Sequence, residues 1–294
     1  HLYLFELGVK KDDIKAFNYF NLSARLGNLT ALLNIGNLYF YGIGVEKNYS
    51  KALEIYEKVS NLNDPHALFN LGICHYYGRI VPLDYNKAVN YFIKSSQSNH
   101  SWAQLYLGIC YYKGNGVEQN YEKSKEYFIL SADQNNHWAL YYLGKCFLNG
   151  FGFLKDYHLA MKYFTLAANK NNSYAQFQLG NMYMLGFCGE KDISKALEYF
   201  QMSSMQCNIS ACLYLAYFYL YGYGVEQNFP AAKKLLIMLS KLNDSNALLL
   251  LGIYYSMAEK NYTEAIKYYK LSANLNNSYA LFNLGSIYYF EQGV

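Results

Sequence analysis

Charge is scarce in this chain. Lysine, arginine, aspartate and glutamate make up 16% of its 294 residues, against about a quarter in an ordinary soluble domain. The net charge of +4 is small and spread along the sequence. No basic run interleaved with aromatic residues occurs, so nucleic acid is not expected as a partner. Catalytic signatures are missing too. There is no H-E-x-x-H, no G-x-S-x-G and no G-x-x-x-x-G-K-[ST], which leaves no motif for a zinc protease, a serine hydrolase or a P-loop nucleotide binder. The six histidines, His1, His66, His75, His100, His137 and His158, show no ligand spacing, and no C-x-x-C appears. No metal, cofactor or catalytic residue is therefore expected. Long apolar runs are lacking as well. The uncharged stretch at 209–225 contains glycines and tyrosines, and it stops short of the ~20 residues a membrane span needs.

What the chain has instead is recurrence. Gly36, Gly72, Gly108, Gly144 and Gly180 stand thirty-six residues apart; Ala216 takes the next place, Gly252 follows, and Gly285 comes after a step of thirty-three. Five residues before each stands Ala31, Ala67, Ala103, Ala139, Ala175, Ala211, Ala247 or Ala280. Further rows of alanine and serine keep the same beat: Ala16, Ala52, Ala88, Ser124, Ala160, Ala196, Ala232 and Ala265 form one of them. A fixed period of this length marks one supersecondary unit stacked on itself. Small residues in rows mark places where backbones approach closely, with large apolar residues filling the space between.

Each unit reads as two helices. In TALLNIGNLYFY (30–41), Ala31, Ile35, Leu38 and Tyr39 fall on one helical stripe. Gly42 and Gly44 then break the pattern, and YSKALEIYEKVSNL (49–62) resumes it with Ala52, Ile55, Tyr56 and Val59. Neither helix is long enough to stand alone in water, so each must bury its stripe on its neighbours. Ser101, Ser173, Ser245 and Ser278, each two residues ahead of the register alanine, are expected to cap the first helices. Repeat starts are placed near 30, 66, 102, 138, 174, 210, 246 and 279.

Cys74, Cys110 and Cys146 share one register whose other members are all apolar, which makes them small core residues. Consecutive copies lie about 10 Å or more apart, too far for a bridge. A reducing, cytoplasmic setting follows. Against it stand Asn-x-Ser/Thr sequons beginning at Asn21, Asn28, Asn48, Asn99, Asn171, Asn208, Asn243, Asn261 and Asn276. They read either as glycosylation sites of a lumenal protein or as turn and cap chemistry, since most fall in the same inter-unit turn.

The residues ALLNIGNLYFYGIGVEKNYSKALEIYEKVSNL (31–62) resemble a Sel1-like repeat, a relative of the tetratricopeptide repeat, and AQLYLGICYYKGNGVEQNYEKSKEYFILSA (103–132) follows that pattern almost throughout. The turns GRIV (78–81) and GFCGE (186–190) depart from it, and the unit at 247–273 is three residues shorter between its helices. The resemblance covers nearly the whole chain. It implies an all-α fold, a right-handed superhelical α/α solenoid of about eight 36-residue helix–turn–helix repeats spanning 1–294 as a single domain. Gly8 and Val9 align with Gly44 and Val45, and so do Gly293 and Val294. The chain is thus expected to start and end inside a repeat, as a segment of a longer protein. Secreted relatives often pair two cysteines within each unit, a pattern this sequence lacks. S-x-x-K, of interest because some relatives are linked to penicillin binding, is absent.

The resemblance also implies a concave face lined by the first helices. Its first row includes His66, Trp102, Trp138 and Tyr174, an aromatic ladder that carries both tryptophans of the chain. Its second row includes Asn37, Lys145, Asn181 and Tyr217, of which the asparagines and the lysine suit a peptide backbone or carboxylate. These rings either grip a partner or pack against the neighbouring unit. The expected function is a non-catalytic scaffold that binds a peptide or protein segment. Alternatives from the same resemblance are a lumenal adaptor of endoplasmic-reticulum quality control and a regulatory arm of a larger enzyme such as a protein kinase.

Overall fold

A computed structural model describes residues 11–290. The alignments of Gly8, Val9, Gly293 and Val294, and the residue His1, lie outside the described residues. Contacts divide the chain into two units, residues 1–155 and 156–294. The first holds α1 (Asp13–Arg25), α2 (Leu29–Tyr41), α3 (Tyr49–Ser60), α4 (Pro65–Tyr77), α5 (Tyr85–Gln97), α6 (Ser101–Lys113), α7 (Tyr121–Asp133) and α8 (His137–Asn149). The second holds α9 (Tyr157–Ala168), α10 (Ser173–Leu185), α11 (Ile193–Met205), α12 (Ile209–Tyr221), α13 (Phe229–Ser240), α14 (Ser245–Met257), α15 (Tyr262–Ala273) and α16 (Ser278–Tyr289). No strand occurs among the described residues, and no described helix is long and apolar enough to cross a membrane. Within each unit the even-numbered helix is the first of a pair and packs on the second helix that follows it, as α2 on α3, α4 on α5, α6 on α7, α10 on α11, α12 on α13 and α14 on α15. A second helix packs in turn on the next first helix, as α3 on α4 and α13 on α14.

At Gly36, Gly72, Gly108, Gly180 and Gly252 the register glycine faces a ring, whereas Gly285 has open space. A Cβ on Gly72, Gly108 or Gly180 would sit 2.4, 2.5 or 2.5 Å from the ring of Phe92, Phe128 or Phe200, which lies on the following second helix. Those phenylalanines are fully buried and fill the space between the paired helices. The exception in the series explains itself in the same terms. Opposite Ala216 the ring is replaced by Leu236, and the two share one buried cluster. A thinner side chain leaves room for a methyl group, and the glycine, which costs a helix interior about 1 kcal/mol, is no longer needed.

The caps correct one expectation. Ser101, Ser173, Ser245 and Ser278 are the first residues of their helices, and the capping side chain sits one residue earlier, on His100, Asn172, Asp244 and Asn277. From there it accepts the backbone N–H of the register alanine, as Asn172 does from Ala175 at 2.9 Å. Three of the serines serve through their carbonyls instead. The buried hydroxyls of Ser131, Ser203 and Ser272 each donate at 2.7 Å to the carbonyl of Ser101, Ser173 or Ser245, fastening the last turn of the second helix to the first turn of the first. Every described helix is capped by asparagine or aspartate except α6, which uses His100.

The same turns account for most of the sequons. Asn28, Asn48, Asn208 and Asn261 are helix caps whose side-chain oxygens accept backbone N–H groups. Asn99, Asn171, Asn243 and Asn276 take left-handed backbone angles immediately before a cap, a conformation asparagine tolerates better than most residues.

Candidate partner-binding face

The first-row residues occupy the second position of the first helices, where α6 and α8 bring two of them together. Trp102 and Trp138 line one groove of about 250 Å³ with Tyr77, Leu105, Tyr106, Ile109 and Tyr142. Trp102 is 40% exposed and Trp138 half-buried, so both present ring surface to solvent. His66 does not continue the row into that groove. Its Nδ1 lies 3.0 Å from Nε2 of His100, and the two rings meet edge to face. His100 uses Nδ1 to accept the N–H of Ala103, so its proton resides on Nε2 and is donated to His66. Burial lowers the His100 pKa to about 4, and the neighbouring His66 imidazole acts in the same direction. Tyr174 belongs to the second unit, where it is half exposed on α10.

The second row divides in the same way. Asn37 is engaged within the fold, since its carbonyl oxygen accepts from the Tyr56 hydroxyl at 2.8 Å and from the Asn70 amide at 3.0 Å. Asn181 holds the same place four repeats on, where Phe200 and Tyr214 stand for those donors, and its carbonyl oxygen is buried without a partner. Lys145 reaches into a cage of tyrosines, with Nζ 5.5, 5.9 and 5.7 Å from the ring centres of Tyr112, Tyr141 and Tyr142. Burial holds this ammonium below its ordinary pKa, and the Lys113 charge pushes in the same direction. Ring faces stabilise a cation without neutralising it. Tyr217 is exposed on α12 and stacks at an angle on Tyr221, with ring centres 4.6 Å apart.

A second groove, of about 510 Å³, lies in the second unit among α10, α12 and α14. Tyr217 lines it with Met184, Leu185, Leu213, Phe218 and Leu250, and Lys191 supplies a cation. Of these residues the row pattern singles out only Tyr217. The signal for the others is helical spacing. In the first groove Ile109 also falls on the second row, directly after Gly108, whereas Leu105 and Tyr106 are marked only by standing three and four residues after Trp102, on one helix face.

The cysteines sit apart from both rows. Cys74, Cys110 and Cys146 are buried and unbridged. Burial pushes their thiols up to about 11, 12 and 12, which makes them poor nucleophiles. Among the described residues no group of three or more His, Cys, Asp or Glu side chains gathers to hold a metal ion.

The Sel1 repeat model matches residues 1–28, 29–64, 65–100, 103–136, 139–172, 173–206, 209–244, 245–277 and 278–294. This chain belongs to the Sel1 repeat family. Its paired helices are the α/α solenoid repeats of that family, whose members typically serve as protein-interaction scaffolds and are generally non-catalytic. A Sel1 repeat protein from Oxalobacter formigenes is 30% identical over 84% of this chain and 71% of its own, with a TM-score of 0.68. A protective antigen of uropathogenic Escherichia coli with an SLR fold is 26% identical over 100% of this chain and 71% of its own, at a TM-score of 0.49. A human IFIT1 dimer with m7Gppp-AAAA is 14% identical over 91% of this chain and 66% of its own, at 0.54, a likeness of fold alone. No curated protein matches the chain.

Proposed function

We propose that this Sel1 repeat chain is a non-catalytic scaffold that holds a peptide or protein segment against the face presented by its first helices. One observation carries the reading: both tryptophans of the chain line a single groove with part of their ring surface open to solvent. Tryptophan combines a large apolar face with one N–H donor, the pairing most often found where binding energy concentrates. The caged ammonium of Lys145 adds a cation for a carboxylate of the partner, because no described carboxylate neutralises it.

Panning a random-peptide phage library on the intact chain tests this. Enriched peptides should bind Trp102→Ala and Trp138→Ala variants at least ~tenfold more weakly, about 1.4 kcal/mol, with the far-UV circular dichroism unchanged. Undiminished affinity would sink the proposal, and loss of helicity would assign the rings to the core.

A reducing, cytoplasmic setting fits the same reading. Buried unbridged cysteines support it, as does the use of sequon asparagines for caps and left-handed turns, Asn208 among them at 8% exposure. A glycosidase-induced mass shift on the native protein would count against it.

A further inference from the structure

The two grooves are the same place in the repeat, seen three repeats apart. Tyr77, Leu105, Tyr106, Ile109 and Tyr142 of the first correspond in register to Leu185, Leu213, Tyr214, Tyr217 and Leu250 of the second. The difference lies in the first row. Trp102 and Trp138 fill the first groove, whereas their counterparts are Ser210 and Asn246, both small or polar and both exposed. With nothing to fill it, the second groove opens to about 510 Å³ against about 250 Å³. That volume is in the range that encloses a ligand group, and its walls are aliphatic and aromatic.

The charge at this groove is as informative as its size. Lys191 follows the altered turn GFCGE, and its side chain lies across Gly186, where an added Cβ would be 3.2 Å from Lys191 Cγ. It is the one charged residue of the lining. Lys191 makes no ion pair among the described residues, although Glu190 and Asp192 flank it in the sequence and Asp192 pairs with Lys195. Apolar walls with one lining cation at the same opening select a group that carries both an apolar side chain and one negative charge. A residue at the end of a polypeptide has both on one α-carbon.

The geometry points to a docking site for the free C-terminus of a partner protein, with a large apolar last side chain seated between α10, α12 and α14 and its carboxylate on Lys191. This rests on the first helices forming a protein-binding face, and it specifies the ligand for one part of that face. The site differs in kind from the tryptophan groove, which offers rings that insert against a partner, whereas this one receives a side chain from it.

Fluorescein-labelled hexapeptides, Gly-Ser-Gly-Ser-Gly followed by Leu, Ile, Phe, Trp or Met, provide the probe, each made as the free acid and as the amide, with an alanine-ended acid as control. Fluorescence polarisation on the intact chain at low ionic strength should show at least one acid binding ~tenfold or more tightly than its own amide and than the alanine control. Lys191→Gln, on an exposed turn, should bring acid and amide to equal affinity. Ser210→Trp combined with Asn246→Trp copies the filled groove and should abolish binding. The proposal falls if all five acids bind no better than their amides, if Lys191→Gln preserves the preference, or if the filled variant still binds while its helicity matches the parent. Should these peptides fail while phage-selected peptides still depend on Trp102 and Trp138, only this site is lost. The converse result would remove the tryptophan groove alone.

Discussion

Two repeats of this chain, the α6–α7 pair and the α12–α13 pair, share a backbone plan and differ at the positions that matter most. They are three repeats apart in the sequence. The first carries Gly108 under Phe128, His100 as its cap and Trp102 on its open face; the second carries Ala216 under Leu236, Asn208 as its cap and Ser210 on its open face. Each difference is a compensated pair or a local exchange, and the left-handed C-caps Gly114 and Gly222 are the same in both. A repeat array tolerates this because each unit answers only to its neighbours. Packing partners can trade volume inside one unit, and the exposed row is left free to diversify.

The sharpest way to break the comparison is to exchange the packed pair. Gly108→Ala should destabilise the chain by about 2 kcal/mol net. A methyl 2.5 Å from a fully buried ring costs up to about 3 kcal/mol, and the better helix propensity of alanine returns up to about 1 kcal/mol. Adding Phe128→Leu copies the α12–α13 arrangement and should recover at least half of the loss. Urea melts followed by far-UV circular dichroism on the two single variants and the double variant give the coupling directly. Additive effects would mean that Ala216 and Leu236 do not compensate one another.

Exchanging the caps should have a smaller effect, and one that depends on pH. The His100 pKa lies at about 4 in the fold, below the ~6.5 of an unfolded histidine. The native chain therefore refuses a proton that the unfolded chain accepts. Stability from this residue is fully present above pH 6.5 and is lost as pH falls toward 4. Protonation of Nδ1 also removes the acceptor for the Ala103 N–H. His66 faces the ring from α4, and Asp64, the cap of that helix, opposes the shift with its charge. Because the site is partly open to solvent, the loss should be about 1 kcal/mol. His100→Asn gives α6 the cap that α12 already has, and it should flatten the melting temperature between pH 7 and pH 5. An unchanged slope would place the titration elsewhere.

How far the sequence reveals this molecule depends on whether a feature is repeated. The glycine series, the paired helices and the α/α repeat are visible because each recurs in register, and at Gly36, Gly72, Gly108, Gly180 and Gly252 one steric cause, a buried ring, sits behind the glycine. The caps lie one residue ahead of the expected serines because each serine stands beside another side chain able to accept, His100, Asn172, Asp244 or Asn277, and only the reach of that side chain to the alanine N–H decides between them. Asn37 looks free in a row of surface residues, yet its donors Tyr56 and Asn70 are 19 and 33 residues away. The open groove is the hardest feature to read. Large side chains announce themselves in a sequence, whereas this groove exists because Ser210 and Asn246 are not large, and its meaning appears only once α10, α12 and α14 are side by side.

The smallest expected effect tests where the two repeats agree. Gly116 and Gly224 both take left-handed angles, with φ of 71° and 67°, in the Gly-x-Gly-Val turns. At Gly116 an added Cβ would lie 2.4 Å from the carbonyl oxygen of Tyr85, at the first turn of the preceding second helix. Close approach and backbone angle both call for glycine there. Ile80 occupies the same place one repeat before Gly116, in the altered turn GRIV, with φ of 76°. A β-branched residue in that region is strained by about 1–2 kcal/mol, part of which is offset by packing, since Ile80 lies against the cluster of Phe40, Tyr56 and Leu71. Ile80→Gly should therefore stabilise the chain by about 0.5–1 kcal/mol, whereas Gly116→Ile and Gly224→Ile should each destabilise it. A lower melting temperature for Ile80→Gly would mean that the apolar contact outweighs the strain, and that the GRIV turn has exchanged backbone freedom for core volume.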